Sequence, residues 1–391
     1  MIEVDAHAFL LIVGMAALAA ITVAVFPGRL APPVVVVELL LGIVIGPQVL
    51  DLVQEDTFTD FFQTLGLAML FFFAGYELDF DRIRGLPIKL AAVGWAISIA
   101  LAYSIGGALA AAGLVVSFLY SGSALATTAI GTLIPILRDA DELKTRFGTF
   151  LLAAGAMGEF GPILLVTLVL STTQPIHEAV ILSAFIAVAL ALALFSTRVA
   201  WRGIPVLERT FEASSQLAVR LAVLLIFALV GLAAELGLDV LLGGFVGGMI
   251  VRAALRSREM EVFESKLTAV GFGFLIPFFF VTSGMAFDLD ALFADLETML
   301  KLPLFLGLML IVRGAPAMLL YRSVIGARDR VALAFFMATQ LPLVVAITTI
   351  AVDGGHMHAG TAAALVGAAM LSTLIFPLVG LSLRSENKAA R

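Results

Sequence analysis

The sequence predicts an all-α, polytopic membrane protein with about thirteen transmembrane helices, arranged as two inverted six-helix repeats joined by a linker helix. Three observations carry this prediction. Apolar stretches of about 20 residues recur along the whole chain. Positive charge alternates between the connections that join them. One Phe-rich helix end occurs twice, in opposite senses across the membrane.

Composition sets the class. Of the 391 residues, 61% are hydrophobic and 13% are charged, and the mean hydropathy is +1.11. Soluble domains carry about 25% charged residues, so a soluble globular protein is excluded. There are no cysteines, which excludes a disulfide framework and thiolate metal sites. The segment Met1–His7 is acidic, whereas a cleaved signal peptide begins with a basic one. The first apolar stretch therefore reads as a retained helix.

In chain order the expected spans are about 8–26, 33–50, 62–78, 88–112, 117–137, 146–171, 177–197, 217–235, 238–255, 268–286, 298–321, 330–352 and 359–382. With the N-terminus outside and alternating spans, the cytoplasmic segments hold 21 of the 23 Lys and Arg residues. Arg82, Arg84 and Lys89 follow the third span; Arg138, Lys144 and Arg146 follow the fifth; Arg384, Lys388 and Arg391 end the chain. Only Lys301 falls outside and only Arg313 falls within a span. A wrong span count would scramble this pattern, so the positive-inside rule supports the topology. The outer connections are acidic, with Asp51, Asp60, Asp288, Asp290, Asp295 and Glu297 among them.

The repeat shows in "LFFFAGYELDFDRI" (70–83) and "PFFFVTSGMAFDLDAL" (277–292). With one gap, the Phe triplets, Gly75 with Gly284, and a trailing acidic pair align. An odd number of spans separates them, so the copies point in opposite directions, as secondary transporters require.

Charges within a bilayer mark function by default. Glu38 and Glu77 lie near the inner ends of the second and third spans, while Glu159 and Arg313 lie deeper. Glu159 sits in "AAGAMGEFGPILL" (153–165), between Gly158 and Gly161 and just before Pro162. Burial moves a carboxylate's titration toward neutrality and a nearby cation moves it back. Once deprotonated, its oxygens suit a hard monovalent cation, so one carboxylate can hold a proton or a metal ion but not both. The bland alternative is a structural ion pair with Arg313; the small neighbours favour a working group. Arg313 is permanently charged and cannot carry protons, so its expected role is charge compensation opposite Glu159. Glu38 reads as a structural or capping residue or, less favoured, as part of an inner funnel.

The fifth span contains "SALATTAIGTLIP", with Thr127, Thr128 and Pro135; the twelfth contains "AFFMATQLPLVVAITT", with Thr339, Gln340 and Pro342. Hydroxyls, an amide and prolines at mid-depth suggest two discontinuous helices whose free carbonyls coordinate ions. The glycines of 241–252 read as close helix packing. His356 and His358 read as solvated loop. No metalloprotease, nucleophile-elbow or phosphate-loop motif occurs, so no enzyme and no cofactor are expected.

"ELLLGIVIGP" (38–47), "LGLAMLFFFAGYELD" (65–79), "ALATTAIGTLIPILRD" (124–139) and "IPFFFVTSGMAFD" (276–288), in this order, resemble the Kef-type branch of the monovalent cation:proton antiporters. The resemblance spans essentially the whole chain. It implies a homodimer in the cell membrane, a dimerisation domain (1–87 and 216–297), an ion-binding core (88–172 and 298–391) and a linker helix (173–215). It also implies two crossing discontinuous helices and elevator-like exchange of Na⁺ or K⁺ for H⁺. By position, Glu159 takes the ion-binding place, Thr127, Thr128 and Gln340 fall on the crossing segments, and Arg313 matches a basic position. Gly158 departs from the usual Asp, Asn or Gln, and Glu159 stands where Asp is common. Gly158 leaves a single titrating acid, which implies electroneutral exchange. Many members of this branch carry a C-terminal nucleotide-binding regulatory domain, and no such unit is visible here. The rival readings are a solute:cation symporter on the same scaffold, which needs a roomy polar cavity, and a channel or sensor.

Overall fold

The computed structural model describes residues 6–26, 32–54, 56–77, 83–169, 216–236, 240–254 and 257–389, with positions 180, 181, 183–185, 187, 188, 191, 192 and 195. Every regular element among them is a helix: α1 Ala6–Val25, α2 Val34–Ile45, α3 Thr57–Tyr76, α4 Leu86–Ala111, α5 Phe118–Leu125, α6 Ile130–Asp139, α7 Arg146–Val169, α8 Leu217–Glu235, α9 Val240–Ala254, α10 Ser257–Val270, α11 Ile276–Met285, α12 Leu289–Phe293, α13 Leu296–Leu320, α14 Ala327–Met337, α15 Pro342–Asp353 and α16 Ala359–Ala389. A π-helical turn, Gly271–Leu275, joins α10 to α11. Among the described residues, eight helical stretches are long and apolar enough to cross a membrane, and three shorter apolar ones are Val34–Ile45, Phe118–Ile134 and Leu241–Ala253. The expected seventh span, 177–197, and the linker 173–215 lie largely outside the described residues.

Several acidic residues of the connections expected to lie outside are helix caps. Asp56 caps α3 through a capping box, accepting from the Thr59 N–H at 2.7 Å while its own N–H donates to Thr59 Oγ1 at 2.9 Å. Asp288 accepts from the Ala291 N–H of α12 at 2.8 Å, and Asp295 accepts from the Thr298 N–H of α13 at 2.7 Å. These bonds to Thr298 hold the Asp295 carboxyl below its ordinary range. A carboxylate at a helix N-terminus satisfies an orphan N–H and the positive end of the dipole together. The acidic residues of these connections thus serve as helix caps.

The chain divides into two compact units. The first comprises Met1–Ala16, Glu55–Asp79 and Thr167–Thr282; the second comprises Ala17–Gln54, Phe80–Val166 and Ser283–Arg391. In the first unit, α3 and α9 meet along glycines. A Cβ on Gly75 would strike the Phe245 carbonyl oxygen, one on Gly248 would strike that of Phe72, and one on Gly244 would lie 2.5 Å from that of Ala68. The glycines of 241–252 are therefore packing glycines. An aromatic cluster of Phe9, Phe58, Phe62, Phe274 and Phe278 fills the same unit, with ring centroids 4.9 to 6.3 Å apart.

In the second unit, Gly284 of α11 meets α2 in the same way. A Cβ there would strike the Leu39 carbonyl oxygen and lie 3.0 Å from the Ile43 nitrogen, four residues on. At Gly75 the corresponding atoms are the Phe245 oxygen and, at 3.2 Å, the Met249 nitrogen, also four residues on. The two aligned glycines thus make one and the same backbone contact, each inside its own unit.

A buried ionic clasp closes one end of the second unit. Arg384, late in α16, donates to Glu142 Oε2, in the turn between α6 and α7, and to Asp329 Oδ1, in the first turn of α14, each at 2.7 Å. The Phe147 ring lies 4.4 Å below the guanidinium. Removing one partner of a buried pair costs about 3–5 kcal/mol, because the remaining charge stays desolvated. Arg384→Met is therefore expected to lower the thermal midpoint of the detergent-solubilised protein. Adding Glu142→Gln and Asp329→Asn should recover part of that loss.

Candidate functional site

Two helices of the second unit are interrupted. Residues 126–129 separate α5 from α6, and residues 338–341 separate α14 from α15. Pro342 at the start of α15 has no N–H to give, which suits a first helical position. Each break frees backbone groups that a bilayer cannot solvate, and the two breaks satisfy one another. The Ala129 N–H donates to the Thr339 carbonyl at 2.8 Å, and the Gln340 side-chain amide donates to the Leu125 carbonyl at 2.9 Å. The Thr128 N–H reaches α7, donating to the Gly158 carbonyl at 2.9 Å. Thr127 Oγ1 donates to the Ala124 carbonyl at the end of α5.

Glu159 lies one residue past that Gly158 contact and is 2% exposed. The N–H of Ile130, first residue of α6, interacts with its carboxylate. The positive end of a helix thus faces the acid. The second carboxylate oxygen, Oε2, is buried and has no hydrogen-bond partner among the described residues. Buried polar atoms are usually paired, and this one belongs to an acid beside the α5–α6 break.

Arg313 on α13 is fully buried. It donates through Nε to Thr128 Oγ1 at 2.9 Å and to the Met337 carbonyl at 3.4 Å, through Nη1 to Ser98 Oγ at 3.2 Å, and through Nη2 to the Ala154 carbonyl at 3.2 Å. Thr128 Oγ1 in turn donates to the Met337 carbonyl at 2.5 Å, and Ser98 Oγ to the Val312 carbonyl at 2.9 Å. The residue expected to lie opposite Glu159 does sit beside its helix. Its donors, however, go to neutral oxygens, and no ion pair joins the two residues.

This arrangement gives a reason for Gly158. A Cβ there would strike Arg313 Nη2 and lie 2.6 Å from Thr128 Oγ1. The guanidinium and the threonine hydroxyl occupy the space that any side chain would need. Gly161, one turn from Gly158, lies against the Trp95 ring, whose atoms a Cβ would approach to 2.5 Å.

The structure therefore brings Thr127, Thr128, Gly158, Glu159, Arg313 and Gln340 into one connected cluster. Glu38 is on α2 and 4% exposed, with no ion pair among the described residues, and Glu77 follows the last turn of α3 in the first unit. Sequence reasoning missed Ser98, Trp95, Ser372 and Thr373. The Ser372-Thr373 pair, deep in an otherwise apolar span, was the available signal. Gly158→Ala is expected to displace Arg313 and Thr128 together, costing about 1–3 kcal/mol as overpacking does, and to lower the thermal midpoint. A midpoint equal to that of the unaltered chain would mean that the space at Gly158 is open.

A family model described as "Sodium/hydrogen exchanger, transmembrane" matches residues 14–381. YjbQ of Bacillus subtilis (strain 168) is 25% identical over 369 residues, which are 90% of this chain and 59% of YjbQ. The Na(+)/H(+)-K(+) antiporter GerN of Bacillus cereus is 24% identical over 273 residues, 68% of each chain. The chain thus spans well under two thirds of the length of YjbQ. Among solved structures, the sodium proton antiporter MjNhaP1 from Methanocaldococcus jannaschii, at pH 8, matches with a TM-score of 0.63 and 17% identity, over 98% of both chains. That likeness concerns the fold.

Proposed function

The chain belongs to the sodium/hydrogen exchanger family, and from that premise we propose that it is a secondary antiporter exchanging Na⁺ or K⁺ for H⁺, with Glu159 as the group that both cargoes share. The observation that carries the proposal is the unpartnered Oε2 of a buried carboxylate, set where two interrupted helices meet. Deprotonated, Glu159 offers a hard anionic ligand, and oxygens of Thr127, Thr128 and Gln340 are the neutral ligands. Protonated, it no longer attracts a cation. GerN, named for both Na⁺ and K⁺, supports keeping both ions as candidates.

The larger frame is part of the same proposal: thirteen spans in two inverted repeats, the N-terminus outside and the C-terminus in the cytoplasm, and a homodimer in the cell membrane. The dimerisation domain would be 1–87 with 216–297, and the moving core 88–172 with 298–391. The matched contacts of Gly75 and Gly284 support the repeat, because equivalent glycines of two copies should meet equivalent backbone. Movement of the core across the membrane would give the site alternating access.

Glu159→Gln keeps the shape and removes the titration. Proteoliposomes with this variant are expected to show no Na⁺- or K⁺-driven proton movement while the protein keeps its oligomeric profile on size exclusion. Exchange at the unaltered rate would falsify the assignment. In the unaltered chain, protons and cations compete for one carboxylate. The apparent KM for the cation should therefore rise as pH falls, by up to about ten-fold per pH unit where the proton-bound form dominates, with Vmax preserved at saturating cation.

Exchange should also be electroneutral. Gly158 supplies no second acid, and Arg313 keeps its proton. A charge moved alone across the membrane is worth about 2.3 kcal/mol per 100 mV, so a net-charge cycle would respond strongly to a clamped potential. Without ion gradients, a valinomycin-set potential is therefore expected to drive no net proton movement, and the Na⁺ gradient at which net exchange reverses should be the same at zero and at that potential, with Na⁺ as the test cation. Net proton movement driven by the potential alone would show a second proton carrier, for which Glu38 and Glu77 are the candidates.

A further inference from the structure

Resting on the exchange proposed above, we infer that Ser372 and Thr373 of α16 are positioning residues that aim the Gln340 side chain at the cation. Gln340 lies in the break between α14 and α15, so its backbone has lost the partners a continuous helix provides. Two adjacent hydroxyls replace them. The Gln340 N–H donates to Ser372 Oγ at 3.0 Å, and its carbonyl accepts from Thr373 Oγ1 at 3.0 Å, with Ser372 Oγ also in reach at 3.1 Å. Both hydroxyls reach a second acceptor in their own helix, the Ala369 carbonyl, at 2.7 Å from Ser372 and 3.1 Å from Thr373.

Each hydroxyl has one proton. The distances assign them: Ser372 donates to Ala369 over the short 2.7 Å contact, which leaves Thr373 to donate to Gln340. In this arrangement Ser372 accepts the Gln340 N–H and Thr373 covers the Gln340 carbonyl. The backbone of a residue outside any helix is thereby pinned at both of its polar groups.

The side chain is held from the other end. Its amide nitrogen donates to the Leu125 carbonyl at 2.9 Å, at the rim of the α5–α6 break. One polar atom is left over. Gln340 is fully buried, and its Oε1 has no partner. A buried carbonyl oxygen without a donor is destabilising. Among the described residues, the backbone N–H, the carbonyl and the side-chain nitrogen of Gln340 all have partners, so Oε1 is the one polar atom of the residue left for a ligand. A cation supplies the missing partner, and the two hydroxyls fix where it must sit.

The test is cation-driven proton exchange in proteoliposomes, with KM and Vmax measured separately for Na⁺ and K⁺. Ser372→Ala combined with Thr373→Val removes both hydroxyls and nearly keeps the volume. The expected result is an apparent cation KM raised about five-fold or more, the factor one neutral hydrogen bond commands, with Vmax at saturating cation little changed. Thr373→Ser alone, which keeps the hydroxyl, should leave the KM at its unaltered value. In a Gln340→Ala background the double substitution should add nothing further, because the residue it aims is gone. A fall in Vmax without a change in KM, or a full additional effect on top of Gln340→Ala, would overturn the inference in favour of a structural role. If the double variant does not fold, the single Thr373→Val variant carries the same comparison. If Gln340→Ala itself leaves KM unchanged, Gln340 is no ligand and this inference falls. The exchange reading is tested apart from it by Glu159→Gln.

Discussion

The structure of the site depends on how one permanent charge is buried without a counter-charge in contact. Arg313 has no exposed surface, and taking such a group out of water costs several kcal/mol. The usual remedy is a carboxylate. Here it is a ring of oxygens: Thr128 Oγ1, Ser98 Oγ and the carbonyls of Ala154 and Met337. Hydrogen bonds to a charged group contribute about 1.5–3 kcal/mol each, enough for several to offset the burial. Met337 is the last residue of α14, so its carbonyl belongs to the negative end of a helix. The charge requires the interruption of α14, and the interruption is stabilised by the charge. Gly158 follows from the same constraint, because the guanidinium fills its side-chain space.

That solution leaves Glu159 free for other work. Were Arg313 to grip the carboxylate directly, a cation would have to displace a guanidinium that cannot leave. With the guanidinium occupied elsewhere, the acid is held only lightly. It has one backbone donor at the start of α6, and its other oxygen is open. The two charged residues are thus neighbours with separate solvation. One ties the helices together, and the other has an oxygen without a hydrogen-bond partner among the described residues.

The sequence made much of this legible, and the limits have physical causes. The positions of the long apolar helices among the described residues followed from hydropathy, because crossing a bilayer takes about 20 apolar residues. The interrupted helices were signalled by Thr127, Thr128, Gln340 and Pro342, polar and helix-breaking residues clustered at mid-depth in two spans. Glu159 was visible as a charge among glycines. What could not be read was pairing. Hydrogen-bond geometry decides whether Arg313 meets Glu159 or a set of carbonyls, and carbonyls leave no trace in a sequence. Ser98, Ser372 and Thr373 were passed over for a related reason: single hydroxyls are common in membrane helices, and only a facing backbone break gives them a task. The clasp of Arg384 with Glu142 and Asp329 joins residues far apart in the chain, and the alternation of basic residues says nothing of such pairing.

The permanent charge also bears on how a one-for-one cycle behaves in a membrane potential. Count the charge at the site in the two loaded states of the exchange proposed for Glu159. With a monovalent cation bound, the carboxylate is negative, the cation positive and Arg313 positive, a net of about one positive charge. With a proton bound, the carboxylate is neutral and Arg313 remains positive, again about one. Both loaded states therefore cross carrying the same charge. Electroneutral exchange on this site does not mean that an uncharged body moves. It means that the potential favours one orientation equally for both cargoes, at about 2.3 kcal/mol per charge per 100 mV for a full crossing, and that the two contributions cancel around the cycle. The empty, deprotonated site carries no net charge. A titratable partner in place of Arg313 would let the loaded states differ in charge and break the cancellation. A fixed guanidinium makes the balance a property of the scaffold, independent of pH.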